Sequence, residues 1–143
     1  MIGKARLRGT VETPWLESKV LQGNLPGDHT ERMLPVYLPP GYANSTERYP
    51  VIYVLSGHGS SGPLMLNSPA WGESFPERLD RLIVSGKVPP VIAVLPDCWT
   101  IFGGAQFINS SALGRAPGPP STSRMLAEVH EPIGMSVRNG CAA

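Results

Sequence analysis

Residues 56–62 read Ser-Gly-His-Gly-Ser-Ser-Gly, directly after the apolar run Val-Ile-Tyr-Val-Leu at 51–55. Glycines at this density let backbone N–H groups approach a ligand with no Cβ in the way. Two chemistries use such a loop. One cradles a pyrophosphate, and Gly57-x-Gly59-x-x-Gly62 has the spacing of a dinucleotide fingerprint. The other is an oxyanion loop, whose N–H donors meet the charge that develops on a carbonyl oxygen during acyl transfer. On that reading the backbone at His58 and Gly59 matters, not the imidazole. A plain surface turn is the third reading.

The nucleotide reading requires the loop to open straight into a helix whose N-terminus holds the phosphates. Here Pro63 and Asn67-Ser68-Pro69 intervene. Asp97, the acid ending the next strand, lies 40 residues after Gly57, where ~20 is usual. Asp97 itself reads as a turn residue after Pro96. There is no His-x-x-x-His, no close cysteine pair and no carboxylate cluster, so no metal site and no cofactor is expected. Cys98 and Cys141 do not make a disulfide framework.

The elements that must position this loop are legible from periodicity. Residues 51–55 and 91–95 are continuous β-branched and aliphatic runs, the pattern of strands buried on both faces. Between them Trp71, Phe75, Leu79, Leu82 and Ile83 recur at helical spacing and predict one apolar face. Ser74 and Glu77 form a capping box, Pro76 falls in the first turn, and Gly86 suits the left-handed stop. Glu77 and Arg81 are spaced for an i, i+4 pair. Strand, loop, helix and strand make a crossover unit, so 51–55 and 91–95 are predicted to be parallel neighbours. Upstream, 11–22 reads as an edge strand, because Pro14 would cost a ladder hydrogen bond in a central one. After a turn at 23–28, residues 31–38 read as a second strand, closed by Pro39-Pro40-Gly41. The fold class is α/β with a mixed, mostly parallel sheet.

Composition excludes several partners. Twelve basic and eleven acidic residues leave a net charge of +1, with no charge run to hold nucleic acid or an anionic membrane. No apolar stretch approaches the ~20 residues of a membrane span. The basic N-terminus has no apolar segment behind it, so a cytoplasmic location is expected. Sixteen glycines and sixteen prolines exceed a fifth of the chain, against roughly 12% in average usage. After residue 115, Ala116-Pro117-Gly118-Pro119-Pro120 starts a breaker-rich stretch.

Several segments together carry a family resemblance. Tyr37-Leu38-Pro39-Pro40-Gly41-Tyr42, then Arg48-Tyr49-Pro50-Val51-Ile52-Tyr53-Val54-Leu55 and the Gly-His-Gly loop, resemble the putative-esterase family of α/β-hydrolases, with its esterase D-like, enterochelin esterase-like and mycolyltransferase members. Gly23-Asn24 ahead of Arg32, the 88–97 segment and Phe107-Ile108-Asn109-Ser110 are similar to it as well. The resemblance runs from about Gly9 to Arg115 and implies an incomplete α/β-hydrolase: strands one to four, the first crossover helix and half of an oxyanion hole. Residues 1–115 would be the N-terminal part of that domain, and 116–143 an irregular tail. It also implies a serine nucleophile on a Gly-x-Ser-x-Gly elbow, then an acid and a histidine. No Gly-x-Ser-x-Gly occurs in the chain, and no residue matches the nucleophile, acid or base. Gly134-Met135-Ser136 starts like an elbow, but Val137-Arg138 follow where a small residue belongs; His29, His58 and His130 fall outside the place of the family's histidine.

The expected function is thus a serine-type carboxylic ester hydrolase, in a truncated form that lacks its nucleophile and is inactive alone. The alternatives are a non-catalytic binding module on the same scaffold and a nucleotide-binding α/β domain. The expected partner is a small-molecule ester, and the open sheet edge predicts self-association.

Overall fold

The computed structural model describes residues 6–19, 21–24, 26–57, 59–101 and 103–104. Four strands form the main sheet in the order β1-β4-β6-β5: β1 (Thr10–Glu12), β4 (Val36–Leu38), β5 (Val51–Tyr53) and β6 (Ile92–Val94). β4 lies antiparallel to both β1 and β6, and β5 runs parallel to β6 with Val51, Ile52 and Tyr53 opposite Ile92, Ala93 and Val94. The predicted parallel pair is therefore present, in a mixed sheet of α/β type whose other two pairings among the described strands are antiparallel. Two two-stranded ladders flank it: β2 (Trp15–Glu17) with β3 (Glu31–Met33), and β7 (Trp99–Thr100) with β8 (Gly103–Gly104).

Each of the two upstream strands of the sequence reading is in fact two strands, and proline is the reason both times. Pro14 separates β1 from β2, and its carbonyl accepts from Leu34 N–H (2.9 Å). Pro35 separates β3 from β4, and its carbonyl accepts from Leu95 N–H (2.9 Å). A residue without an N–H cannot stay in register on both sides, so each strand hands over to another sheet there.

The core has two layers because side chains alternate across the sheet. Val36, Leu38, Ile92 and Val94 face one way, together with Leu34. Tyr37, Val91 and Ala93 face the other, where Leu79 and Ile83 of helix α1 (Phe75–Val84) cover them. β6 is buried throughout and matches the continuous apolar run that predicted it. β5 does not. It forms the free edge among the described strands, with Ile52 38% and Leu55 43% exposed, so the expectation of burial on both faces is corrected. A continuous apolar run has no term that reports whether a strand has one neighbour or two.

Helix α1 starts as predicted. Glu77 N–H donates to Ser74 Oγ (3.4 Å) and Ser74 N–H donates to Glu77 Oε2 (2.6 Å), the reciprocal capping box, a cap that contributes about 1 kcal/mol. Gly86 takes its left-handed turn at φ +71°. Two expectations fail. Trp71 precedes the helix and is 96% exposed, because the chain turns at Pro69 to Gly72 before the cap. Glu77 is committed to Ser74 and to the Ser68 hydroxyl (2.8 Å), so Arg81 pairs instead with Glu73, at 2.8 and 3.0 Å. Hydrogen bonding to that guanidinium holds the Glu73 carboxyl below its ordinary range.

Candidate functional site

Because β5 and β6 are parallel, the segments that leave them emerge at the same end of the sheet. Open α/β sheets bind ligands at this carboxyl end. The loop after β5 is closed from within. Ser60 N–H donates to the Gly57 carbonyl (3.1 Å), and the buried Ser56 hydroxyl donates to the Ser60 carbonyl (3.0 Å). Gly59 is exposed, at φ +80°, a conformation that a residue with a side chain adopts at a cost. Ser61 Oγ accepts from Leu64 N–H (3.4 Å), starting the short 3-10 turn Pro63–Leu66. His58 lies outside the described residues, as do His130, Ser136 and the 107–110 segment.

Gly62 makes the tightest approach. A Cβ there would lie 2.0 Å from the Leu95 carbonyl oxygen and 2.7 Å from that of Pro96. The loop is thereby pressed backbone-to-backbone onto the end of β6. The third glycine of the Gly57-x-Gly59-x-x-Gly62 pattern is needed for this contact and not for a phosphate. The loop enters a 3-10 turn, and α1 begins only at Phe75, so the loop does not open directly into an α-helix. This is the physical objection to the nucleotide reading.

The segment after β6 is braced by residues far away in sequence. Asp97 acts as a turn residue, its Oδ1 accepting from Trp99 N–H (3.1 Å), while its Oδ2 lies 3.9 Å from Arg32 Nη1. Arg32 also donates to the Trp99 carbonyl. Asp28 Oδ1 accepts from Ile101 N–H (2.7 Å), and Asn24 holds Asp28 in turn, its Oδ1 accepting from Asp28 N–H (2.7 Å). Asn24 and Arg32, which in sequence belong to the family resemblance, thus help to hold the segment after β6.

Cys98 is buried between these braces. Burial, with the nearby Asp97 charge, pushes its thiol up to about 11. The folded state thus keeps a proton that the unfolded chain releases above its ordinary value of 9.0. Unfolding free energy should be unaffected by this group below pH 9 and should fall as pH rises from 9 to 11, by on the order of 2 kcal/mol. Denaturant titrations at pH 8, 9 and 10 on the parent and Cys98→Ser chains check this; parallel pH profiles would refute it. Among the described residues no group of three or more His, Cys, Asp or Glu is arranged to hold a metal, and no helix is long and apolar enough to cross a membrane. His29 is exposed.

The mixed sheet, its parallel pair and the helix packed on one face define an α/β protein of hydrolase type. Residues 29–98 match the model of the family described as "Putative esterase". Over that region the chain resembles the N-terminal part of this esterase family. No curated protein matches the chain. Among solved structures, a ferulic acid esterase is 26% identical with a TM-score of 0.51, over 71% of this chain and 34% of its own length. A CE1 ferulic acid esterase from Anaeromyces mucronatus is also similar in two structures. With ferulic acid bound it is 24% identical (TM-score 0.49, 90% of this chain, 40% of the other). Without substrate it is 25% identical (TM-score 0.49, 94% and 42%). The chain therefore spans about a third of the length of the first of these esterases.

Proposed function

We propose that the chain carries the N-terminal part of a serine-type carboxylic ester hydrolase, comprising residues 1–115, followed by an irregular segment at 116–143. The observation that carries this reading is the glycine loop. It sits at the carboxyl end of a parallel strand and is held against the next strand by Gly62, within the region that matches the esterase family. In the reaction, a serine hydroxyl attacks the ester carbonyl and the alcohol leaves. Water then attacks the acyl-serine and releases the acid. Backbone N–H groups at His58 and Gly59 are the candidate donors to the oxyanion, replacing hydration with fixed dipoles. The neighbouring ferulic acid esterase supports a carboxylic ester as the substrate class.

The 143 residues contain no Gly-x-Ser-x-Gly, so the chain by itself should hydrolyse p-nitrophenyl acetate no faster than a scrambled control. It should also leave a fluorophosphonate probe unreacted. Stoichiometric labelling lost in Ser136→Ala would overturn this. The truncation part of the reading is checked at the DNA: another frame past Arg115 should encode Gly-x-Ser-x-Gly, and its absence from all frames would favour a binding module that kept the scaffold. On its own the chain should self-associate through the exposed β5 edge. Sedimentation velocity should show a concentration-dependent dimer or larger species, and a monomer at every concentration would contradict it.

A further inference from the structure

Asn44-Ser45-Thr46 has the form Asn-x-Thr, the triplet that accepts an N-linked glycan when it lies on a surface loop. The structure puts it on one. Residues 39–50 join the end of β4 to the start of β5. Tyr42 and Tyr49 anchor this loop, both packed against the core layer of Val36 and Ile92, with ring centroids 5.7 Å apart. Between the two rings Ala43, Asn44 and residues 46–48 are exposed. Short polar side chains in loops commonly bond to nearby backbone. Asn24 does so with both ends of its carboxamide, donating to the Leu21 and Asp28 carbonyls (2.7 and 2.8 Å) and accepting from Asp28 N–H (2.7 Å). Ser45 does so too, its Oγ accepting from Glu47 N–H (3.1 Å). Asn44 does not. Its backbone N–H donates to the Gly41 carbonyl (3.1 Å) in the 3-10 turn Tyr42–Asn44, but among the described residues nothing bonds its carboxamide or the Thr46 hydroxyl. These are the two groups by which the triplet is defined. Because β4 is antiparallel to β6 and β5 parallel to it, the loop lies at the amino end of β6. The glycine loop emerges at the other end, so a bulky polar group on Asn44 leaves it open.

We propose that Asn44 is an acceptor for an N-linked glycan. The donor is a lipid pyrophosphate-linked oligosaccharide, used by an oligosaccharide transferase of the secretory lumen. Asn44 Nδ2 bonds to the anomeric carbon of the first sugar and gives up one proton. The bond from that carbon to the pyrophosphate oxygen breaks, and the lipid pyrophosphate leaves with the electron pair. A glycan at this place is bulky and solubilising and remains on the surface of the folded chain. The modification belongs to the secretory lumen, so it stands against the cytoplasmic location expected from the N-terminal residues. It does not depend on the esterase reading. Asn109-Ser110-Ser111 has the related form Asn-x-Ser and lies outside the described residues, so the two triplets are separated by the variants used.

The test is expression of the full 143-residue chain in yeast behind a cleavable secretion leader, with microsomes and medium both analysed. The chain should run as a larger species that peptide N-glycosidase returns to the size of the bare polypeptide. After that treatment the tryptic peptide 33–48 should show Asn44 converted to aspartate. Asn44→Gln and Thr46→Ala should each abolish the glycan on this peptide, Thr46→Ser should keep it, and Asn109→Gln should leave it unchanged. Because the site is exposed, the glycosidase should also release the glycan from undenatured chain. Because the carboxamide has no partner among the described residues, Asn44→Gln made in bacteria should keep the urea midpoint and circular dichroism of the parent. An unmodified peptide 33–48 in chain recovered from the microsomes or the medium would overturn the proposal. So would a glycan on Asn109 alone, or a glycan on Asn44 released only after denaturation. Reading the microsomes keeps the first outcome decisive even for a chain that is not secreted.

Discussion

Gly62→Ala should destabilise the chain by about 3 kcal/mol, at the upper end of what overpacking costs, while Gly57→Ala changes stability by less than about 0.5 kcal/mol. Both glycines belong to one loop, and the contrast is purely steric. Gly62 has ordinary right-handed angles, φ −53° and ψ −50°. Alanine there would therefore gain from a less flexible unfolded chain if backbone conformation were the only question. Space decides the other way, because the added Cβ would meet the Leu95 carbonyl at 2.0 Å, and backbone atoms cannot rotate aside as a side chain can. At Gly57 nothing lies within 4 Å of the added atom. Gly59→Ala belongs between the two, at roughly 1–2 kcal/mol for its positive φ. Urea titrations of the three variants rank them. Gly57→Ala as damaging as Gly62→Ala would mean that the loop does not rest on β6.

Asp80→Ala should cost about 4 kcal/mol and Tyr37→Phe only about 1 kcal/mol, although both remove a partner of the same hydrogen bond. Asp80 is a buried carboxylate on the inner face of α1. It accepts from Arg8 N–H (3.0 Å), Gly9 N–H (2.7 Å) and the Tyr37 hydroxyl (2.9 Å). Truncating it strands three donors at once, two of them backbone groups that have no other way to reach an acceptor. Removing the tyrosine hydroxyl leaves the carboxylate two of its three bonds. Burial, with the hydrogen bond to Asp80, pushes the Tyr37 phenol well above its ordinary value, so it stays protonated and donating through the neutral range. A double-mutant cycle should return a coupling of about 1 kcal/mol between the two. A loss below about 1 kcal/mol for Asp80→Ala would show that the segment before β1 is not tied to the helix through this group.

Asp80 also shows where reading residues in order stops. Within the helical pattern it sits between Leu79 and Ile83 and resembles any acid on a solvated face. Its burial depends on Gly9, where a Cβ would come within 2.8 Å of the Tyr37 ring. Three segments about 30 to 70 residues apart must meet before that carboxylate has a purpose, and no local pattern encodes their meeting.

What the sequence determined by itself was local or strongly periodic. The capping box at Ser74 and Glu77 closes over four residues. Gly86 needs only its own φ. The apolar runs at 51–55 and 91–95 report two strands, though not how many neighbours each has. The parallel pairing of 51–55 with 91–95 follows from the length of the connection, since a helix-bearing crossover returns the chain in the same direction. The glycine loop, too, was visible as a place where backbone comes close to something.

Tertiary structure decided what that something is. Gly62 approaches the end of β6, a strand more than 25 residues further on. Trp71, in phase with the helix by spacing alone, is in solvent because the turn at Pro69 breaks the phase before the cap forms. Arg81 turns to Glu73 because Glu77 had already been taken by two serines. Arg32 and Asp28 become braces only when the β2–β3 hairpin lies beside the segment after β6. In each case a periodicity states which residues can share a face, whereas competition for a partner or a few ångströms of space settles which of them do.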